Sequence, residues 1–369
     1  MKTNVSCVEN GTPEVDRMFP NWSRNAERPD FDMDDGPDLP VFNKPIGEAI
    51  TFLQTHVWPA FNAANKTAMK HQRLHRRLTE VAAVSGALAG LFTVVQIVFP
   101  LPVHWHWVGG AEICVAVLAL LVVVFGVRAS IQLNWLLERF RAERLRQLKF
   151  AVLTHEDLWC NRFAEWQAYV LQEIQVIQKM DRKAMETWIV QERVRVPKNE
   201  LAGFVLGVEP LRVFAGFYIA KRLGCQMNYF ERRSLRLGGQ NRRLRYWPAW
   251  CFYGSITAIA LHYLLDIYLL QGEATEWLSR FFVLAALALP MIGACIRTVQ
   301  VAREFGRSAA LFSAKHVALQ DMFQRLLGEL ATEPVRPAEV LHNITACEDF
   351  LEAEQREWLR LMQEAEWFG

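Results

Sequence analysis

The sequence predicts an all-α integral membrane protein, with four transmembrane helices in two hairpins and long cytoplasmic helical extensions. Three observations predict this class. More than half of the 369 residues are apolar or aromatic, and many of them gather in four blocks near the ~20 residues that cross a bilayer as a helix. Short connections join the blocks in pairs. Lys and Arg cluster at the opposite ends of those pairs, which is typical of membrane boundaries.

The four apolar blocks are Val81–Phe99, Val108–Val127, Trp250–Leu270 and Trp277–Ile296. "PLPVHWHW" joins the first two blocks and "QGEATE" joins the last two, so each pair is expected to form an antiparallel hairpin. The second pair is interrupted by more polar residues, and buried helices of a soluble protein remain an alternative for it. The interrupting residues are His262, Asp266, Arg280 and Pro290.

The orientation of both hairpins follows from their basic borders. Since positive residues flank cytoplasmic ends, the N-terminus, the middle of the chain and the C-terminus are all expected in the cytoplasm. The predicted domains are a disordered acidic tail (1–44), pre-membrane helices (45–80), the first hairpin (81–127), a cytoplasmic helical domain (128–249), the second hairpin (250–296) and C-terminal helices (297–369).

The cytoplasmic segments show helical spacing of apolar residues. Residues 129–193 contain no Pro or Gly, which predicts one long helix, or two with a break near Thr154. "VRVPKNELAG" should end that region, because Pro and Gly stop helices. Further helices are expected at about 211–237, from the fourth span to about 330, and at 338–367.

No catalytic motif is present, so we expect no enzymatic activity, cofactor or metal site. The chain lacks a P-loop, G-x-G-x-x-G, G-x-S-x-G and H-E-x-x-H. Its seven cysteines are scattered, with no C-x-x-C pair.

Four polar residues lie within the predicted spans and are candidates for a pore mouth. Ionisable groups in lipid cost several kcal/mol unless they face water or a bundle interior. Interfacial snorkelling or an interhelical hydrogen bond is the alternative. These residues are Gln96, Glu112, His262 and Asp266.

A basic run, "RRSLRLGGQNRRLR", precedes the third span and carries six arginines. Two or three would anchor the border, at about 1 kcal/mol each near anionic lipid. The excess suggests a polyanion site, because Arg presents a planar fork to phosphate, whereas lipid anchoring alone is the alternative. The candidate ligand-binding residues are Arg195, Lys198, Lys221, Arg222, Arg232, Arg233, Arg236, Arg242 and Arg243, with Arg245 at the border.

Two stretches, "WLLERFRAERLRQL" (135–148) and "YIAKRLGCQMNYFERRS" (218–234), resemble the SLATT family of prokaryotic membrane proteins. The resemblance covers about 66–330 and implies a pore-forming effector of the bacterial inner membrane, which acts in abortive antiviral defence and responds to nucleotide messengers. The tandem hairpins also resemble Hailong-type effectors, whose ligand is made by a partner nucleotidyltransferase. The acidic tail and the Glu-rich C-terminal helix go beyond the family pattern.

The sequence therefore predicts a homo-oligomeric membrane channel, with four copies as the working number. Its cytoplasmic helices would receive a nucleotide or oligonucleotide signal. A small-solute transporter and a non-conducting scaffold for a cytoplasmic enzyme are the alternatives.

Overall fold

The computed structural model describes residues 31–34, 44–99, 106–190, 207–268, 273–303 and 305–364. Within those ranges the chain is helical and contains no strand. The α-helices are α1 (Lys44–Val98), α2 (His106–Arg128), α3 (Ile131–Leu153), α4 (Glu156–Trp159), α5 (Phe163–Lys179), α6 (Arg182–Val190), α7 (Val208–Tyr218), α8 (Gly224–Leu244), α9 (Trp247–Tyr268), α10 (Glu273–Arg303), α11 (Phe305–Ala331) and α12 (Pro337–Glu364). A π-helical turn, Ile219–Leu223, connects α7 to α8.

The chain divides into two compact units. Unit 1 combines Met1–Met69, Leu133–Arg233 and Phe312–Ala365. Unit 2 combines Lys70–Gln132, Ser234–Leu311 and Glu366–Gly369.

Unit 1 has a conventional packed interior. Its largest fully buried side chains include Trp159, Trp166, Phe140 and Phe214. The indole N–H groups of both tryptophans donate to backbone carbonyls at the end of α3, at 2.9 Å from Trp159 and 2.7 Å from Trp166. The polar edge of each ring is therefore satisfied inside the core, as buried tryptophan requires.

Unit 2 contains α2, α9, α10 and the second half of α1. In the α9–α10 pair, Gly293 lies opposite Cys251, and the hydroxyl of Ser255 donates to the carbonyl of Ala286 at 2.7 Å. A Cβ atom on Gly293 would lie 3.1 Å from the Cβ of Cys251, so glycine permits the close approach. The pairing runs in opposite chain directions, which confirms an antiparallel hairpin.

Among the described residues, three helices are long and apolar enough to cross a membrane: α1, α2 over Trp107–Gly126, and α10 over Glu276–Gln300. Only 6% of each apolar stretch is buried, and this indicates membrane association. The predicted third span lies on α9, which is not among the three. Four spans are therefore not established.

The structure differs from three predictions for the segments that were expected in the cytoplasm. The pre-membrane helices and the first span form a single 55-residue helix, α1. The break near Thr154 is confirmed, but 131–190 contains four helices rather than one or two. An additional break precedes α3, where Ser130 has φ 46°. Left-handed backbone of this kind ends a helix even without Gly or Pro.

Within the predicted disordered tail, the structure describes Phe31–Asp34 as part of unit 1, and Lys44 begins α1. Phe31, Asp32 and Met33 are 2%, 1% and 1% exposed, and Asp34 is half-buried. Two apolar side chains and a paired carboxylate hold them in unit 1. Residues 1–30 and 35–43 lie outside the described part of the chain.

Candidate functional site

A cluster of buried charges occupies the interior of unit 1. The carboxylate of Asp32 lies 3.3 Å from Nε of Arg146 and 3.2 Å from a terminal nitrogen of Arg222. Arg222 also donates two hydrogen bonds of 2.9 Å to the carboxylate of Glu348. The hydroxyl of Tyr218 donates to the same carboxylate at 2.8 Å. Buried charges of this kind persist only when they are paired and hydrogen-bonded.

Two lysines complete the positive side of the cluster and hold the backbone of residues 31–34. The ammonium of Lys149 donates to the carbonyls of Asp32 and Met33 at 2.7 and 3.3 Å. The ammonium of Lys221 donates to the carbonyls of Phe31 and Asp34 at 3.3 and 2.8 Å. It also lies 3.8 Å from the centre of the Phe31 ring, a cation–π contact.

We call Arg146, Lys149, Lys221 and Arg222 the cationic cluster, and Phe31–Asp34 the FDMD segment. Arg146 and Lys149 are three residues apart on α3, so they share one face of that helix. Lys221 and Arg222 lie on the π-helical turn. Turns of this type are rare in proteins, and those that occur are often found at functional sites. Here the turn carries two buried cations.

The electrostatics of the cluster favour its charged state. Burial alone would raise the pKa of Asp32, but Arg146, Arg222 and Lys149 together hold that pKa below its usual value. Burial alone would lower the pKa of Arg222, yet Glu348 and Asp32 raise it. The ionised network is therefore the stable form of this interior.

Two of the predicted ligand residues are buried. Lys221 and Arg222 are 1% and 2% exposed, and their charged groups contact the FDMD segment and Glu348. They are not part of an open basic surface. In the sequence, the apolar residues that flank this pair, such as Ile219 and Leu223, could have indicated that the pair is buried.

The other predicted basic residues differ in placement. Along α8 and its end, five arginines are exposed and Arg233 is half-buried. The exposed ones are Arg232, Arg236, Arg242, Arg243 and Arg245. Arg195 and Lys198 lie outside the described residues.

The polar residues of the first hairpin contact each other. Glu112 of α2 accepts a hydrogen bond of 2.6 Å from the hydroxyl of Thr93 on α1, and it also accepts one from the amide of Gln96. Thr93 was not among the predicted residues, although it lies one turn before Gln96. This is the interhelical hydrogen bonding that the sequence offered as an alternative to a pore-mouth role.

The second hairpin holds the other two candidates. Nδ1 of His262 lies 2.8 Å from the hydroxyl of Ser279, which links α9 to α10. Asp266 lies on α9, but its side chain is outside the described part of the structure. The contact of His262 is again an interhelical one.

Comparisons of the chain with protein-family models, curated proteins and solved structures find no match. Within the described residues the fold is all-helical, and its three long apolar helices suggest a membrane-associated part.

Proposed function

We propose that the chain is a four-span, homo-oligomeric channel of the bacterial inner membrane, with unit 1 and both termini in the cytoplasm. The observation that carries the proposal is the contrast between the two units. Unit 1 buries its large aromatic side chains, whereas Leu120, Leu121 and Phe281 of unit 2 are 62%, 59% and 56% exposed. Apolar surface of this extent requires lipid or other copies of the chain.

Oligomerisation supports the conducting role. Four helices from one subunit do not readily enclose a water path, so a pore needs several copies, and four is the working number. Glu112 is the leading pore-mouth candidate, because its carboxylate remains an ionisable group within an apolar hairpin. Its hydrogen bonds to Thr93 and Gln96 would fix its position at the mouth.

The signal we propose is a nucleotide or oligonucleotide from a partner nucleotidyltransferase, and the biological role is abortive antiviral defence. The resemblance of two stretches to the SLATT family supports this part. The exposed arginines of α8 offer the chemistry, since guanidinium groups bind phosphate in a bidentate way. Lys221 and Arg222 are buried, so the proposed surface does not include them.

Single-channel recording in planar bilayers tests the proposal. The purified chain should give discrete currents. Glu112→Gln should shift the reversal potential under a salt gradient, because it removes the charge but keeps an oxygen that accepts from Thr93. The matched control is Glu276→Gln, since Glu276 is 63% exposed and ion-paired with Arg280 one turn along α10.

Other outcomes of this experiment would support one of the alternative functions or change the role of Glu112. Membrane insertion without any current would favour the scaffold, whereas solute uptake without current would favour the transporter. Currents that are identical in wild type and Glu112→Gln would assign Glu112 to helix packing alone.

A further inference from the structure

We infer that unit 1 contains an oxyanion-binding pocket, lined by the cationic cluster, which takes a multiply charged phosphate chain in exchange for the FDMD segment. The segment is then an internal competitor for that pocket. The inference concerns unit 1 by itself and holds whether or not unit 2 conducts ions.

The segment presents oxygen atoms as an extended oxyanion does. Its four consecutive carbonyls accept hydrogen bonds from Lys149 and Lys221. A carboxylate oxygen of Asp32 faces Arg146 and Arg222. Five oxygens from four residues thus face four cations. A phosphate chain carries the same kind of acceptor at similar density, with more negative charge.

A phosphate chain would bring more negative charge to the cluster than the segment does. Arg222 contacts Glu348, and Arg146 lies 3.1 Å from an oxygen of Glu143. These two carboxylates belong to the helices and remain when the segment leaves. The segment contributes one carboxylate, that of Asp32, to this group of four cations.

The carboxylate of Asp32 is held less closely than that of Glu348. The contacts of Asp32 with Arg146, Arg222 and Gln226 measure 3.3, 3.2 and 3.3 Å. Those between Arg222 and Glu348 are 2.9 Å, within the range of strong charge-assisted hydrogen bonds. Exchange breaks these longer contacts, together with the lysine hydrogen bonds of 2.7–3.3 Å to the segment's carbonyls, and it leaves the Arg222–Glu348 pair in place.

The burial of the cations and the helix that carries them are typical of a binding site. Lys and Arg are rarely buried completely, yet Lys149, Lys221 and Arg222 are 1%, 1% and 2% exposed. Two of them occupy a π-helical turn, a form found often at functional sites. A purely structural core would reach similar stability with apolar side chains.

Cys225 reports on exchange because it lies against the segment. It is 7% exposed, and burial, followed by the charge of Asp32, raises the pKa of its thiol to about 12. While the segment is in place, the thiol is covered and protonated, so alkylation should be slow. Release of the segment uncovers it.

The experiment uses the full chain in an uncharged, phosphate-free detergent. N-ethylmaleimide modification of each cysteine is followed by mass spectrometry, with sodium tripolyphosphate or with NaCl of equal ionic strength. Because a tethered segment competes at an effective concentration of about 1–10 mM, tripolyphosphate is titrated through that range. Modification of Cys225 should rise saturably by about tenfold, in proportion to the released population.

Cys347 is the internal control. It is 2% exposed and lies in the same unit, where burial and then Glu348 raise the pKa of its thiol to about 12. Its modification should not change. A parallel rise at Cys347 would mean that unit 1 opens as a whole, and it would overturn the inference.

Two variants sharpen the test. Asp32→Asn weakens the hold of the segment, so half-maximal exposure of Cys225 should need less tripolyphosphate. Asp34→Asn is the matched control, because Asp34 contacts Lys221 through its backbone carbonyl, and it should behave as wild type. If tripolyphosphate and NaCl have equal effects on Cys225 in the wild-type chain, the pocket does not exchange its occupant.

Discussion

Replacing Glu348 by Gln tests whether the buried charges hold unit 1 together. The carboxylate accepts two hydrogen bonds from Arg222 and one from Tyr218. Glutamine keeps the size and one acceptor oxygen, but it removes the charge opposite a fully buried guanidinium. Breaking one side of a buried ion pair costs about 3–5 kcal/mol. With a urea slope of about 2 kcal/mol per M, the unfolding midpoint should fall by about 2 M.

The assay is urea unfolding in detergent, followed by the red shift in fluorescence as Trp159 and Trp166 become exposed. The matched control is Glu48→Gln on α1 in the same unit, whose partner Lys44 lies 3.8 Å away with both side chains at least half exposed. An exposed pair contributes about 0–1 kcal/mol, so that midpoint should hardly move. Equal midpoints for the two variants would refute a stabilising role for the Arg222–Glu348 pair.

Two further predictions concern acid stability and the arginines of α8. Because the folded pKa of Asp32 is depressed, its contribution to stability should be complete above its unfolded value of about 3.9 and be lost as pH falls below it. The urea midpoint should therefore fall less between about pH 5 and pH 3 in Asp32→Asn, and an unchanged dependence would contradict the pairing. Changing Arg232, Arg233 and Arg236 together to Gln should permit insertion but abolish the response of channel current to an oligonucleotide. The matching Lys variant keeps the charge without the fork, and a normal response from the Gln variant would leave only lipid anchoring.

Local signals made the helical elements predictable. Apolar blocks near bilayer length placed the hairpins, and α9 and α10 begin within about four residues of the predicted blocks, which is the usual precision for helix ends. The break at Thr154 was also anticipated. The break at Ser130 was not, because a left-handed serine has no compositional signal comparable to Gly or Pro.

The buried charges were beyond local reasoning. Arg222 is separated by 190 residues from Asp32 and by 126 from Glu348. A sequence pattern cannot show that such distant groups meet. The acidic stretch around Asp32 was therefore expected to be exposed to solvent, and the pair Lys221 and Arg222 was expected on an open surface. The one local clue was the alternation of apolar and acidic residues in "FDMD", which separates it from the polar tail around it.

Unit 1 is built from three separate stretches of the chain, and this affects how it forms during synthesis. Its three stretches alternate with those of unit 2, so every apolar helix leaves the ribosome before α12 does. The 126 residues between Arg222 and Glu348 take about 6–25 s to translate at about 5–20 residues per second. During that interval Glu348 has not yet been synthesised, so it cannot pair with Arg222. A nascent chain that stops before α12 would carry its apolar helices without a completed interior in unit 1, which makes it a substrate for proteolysis.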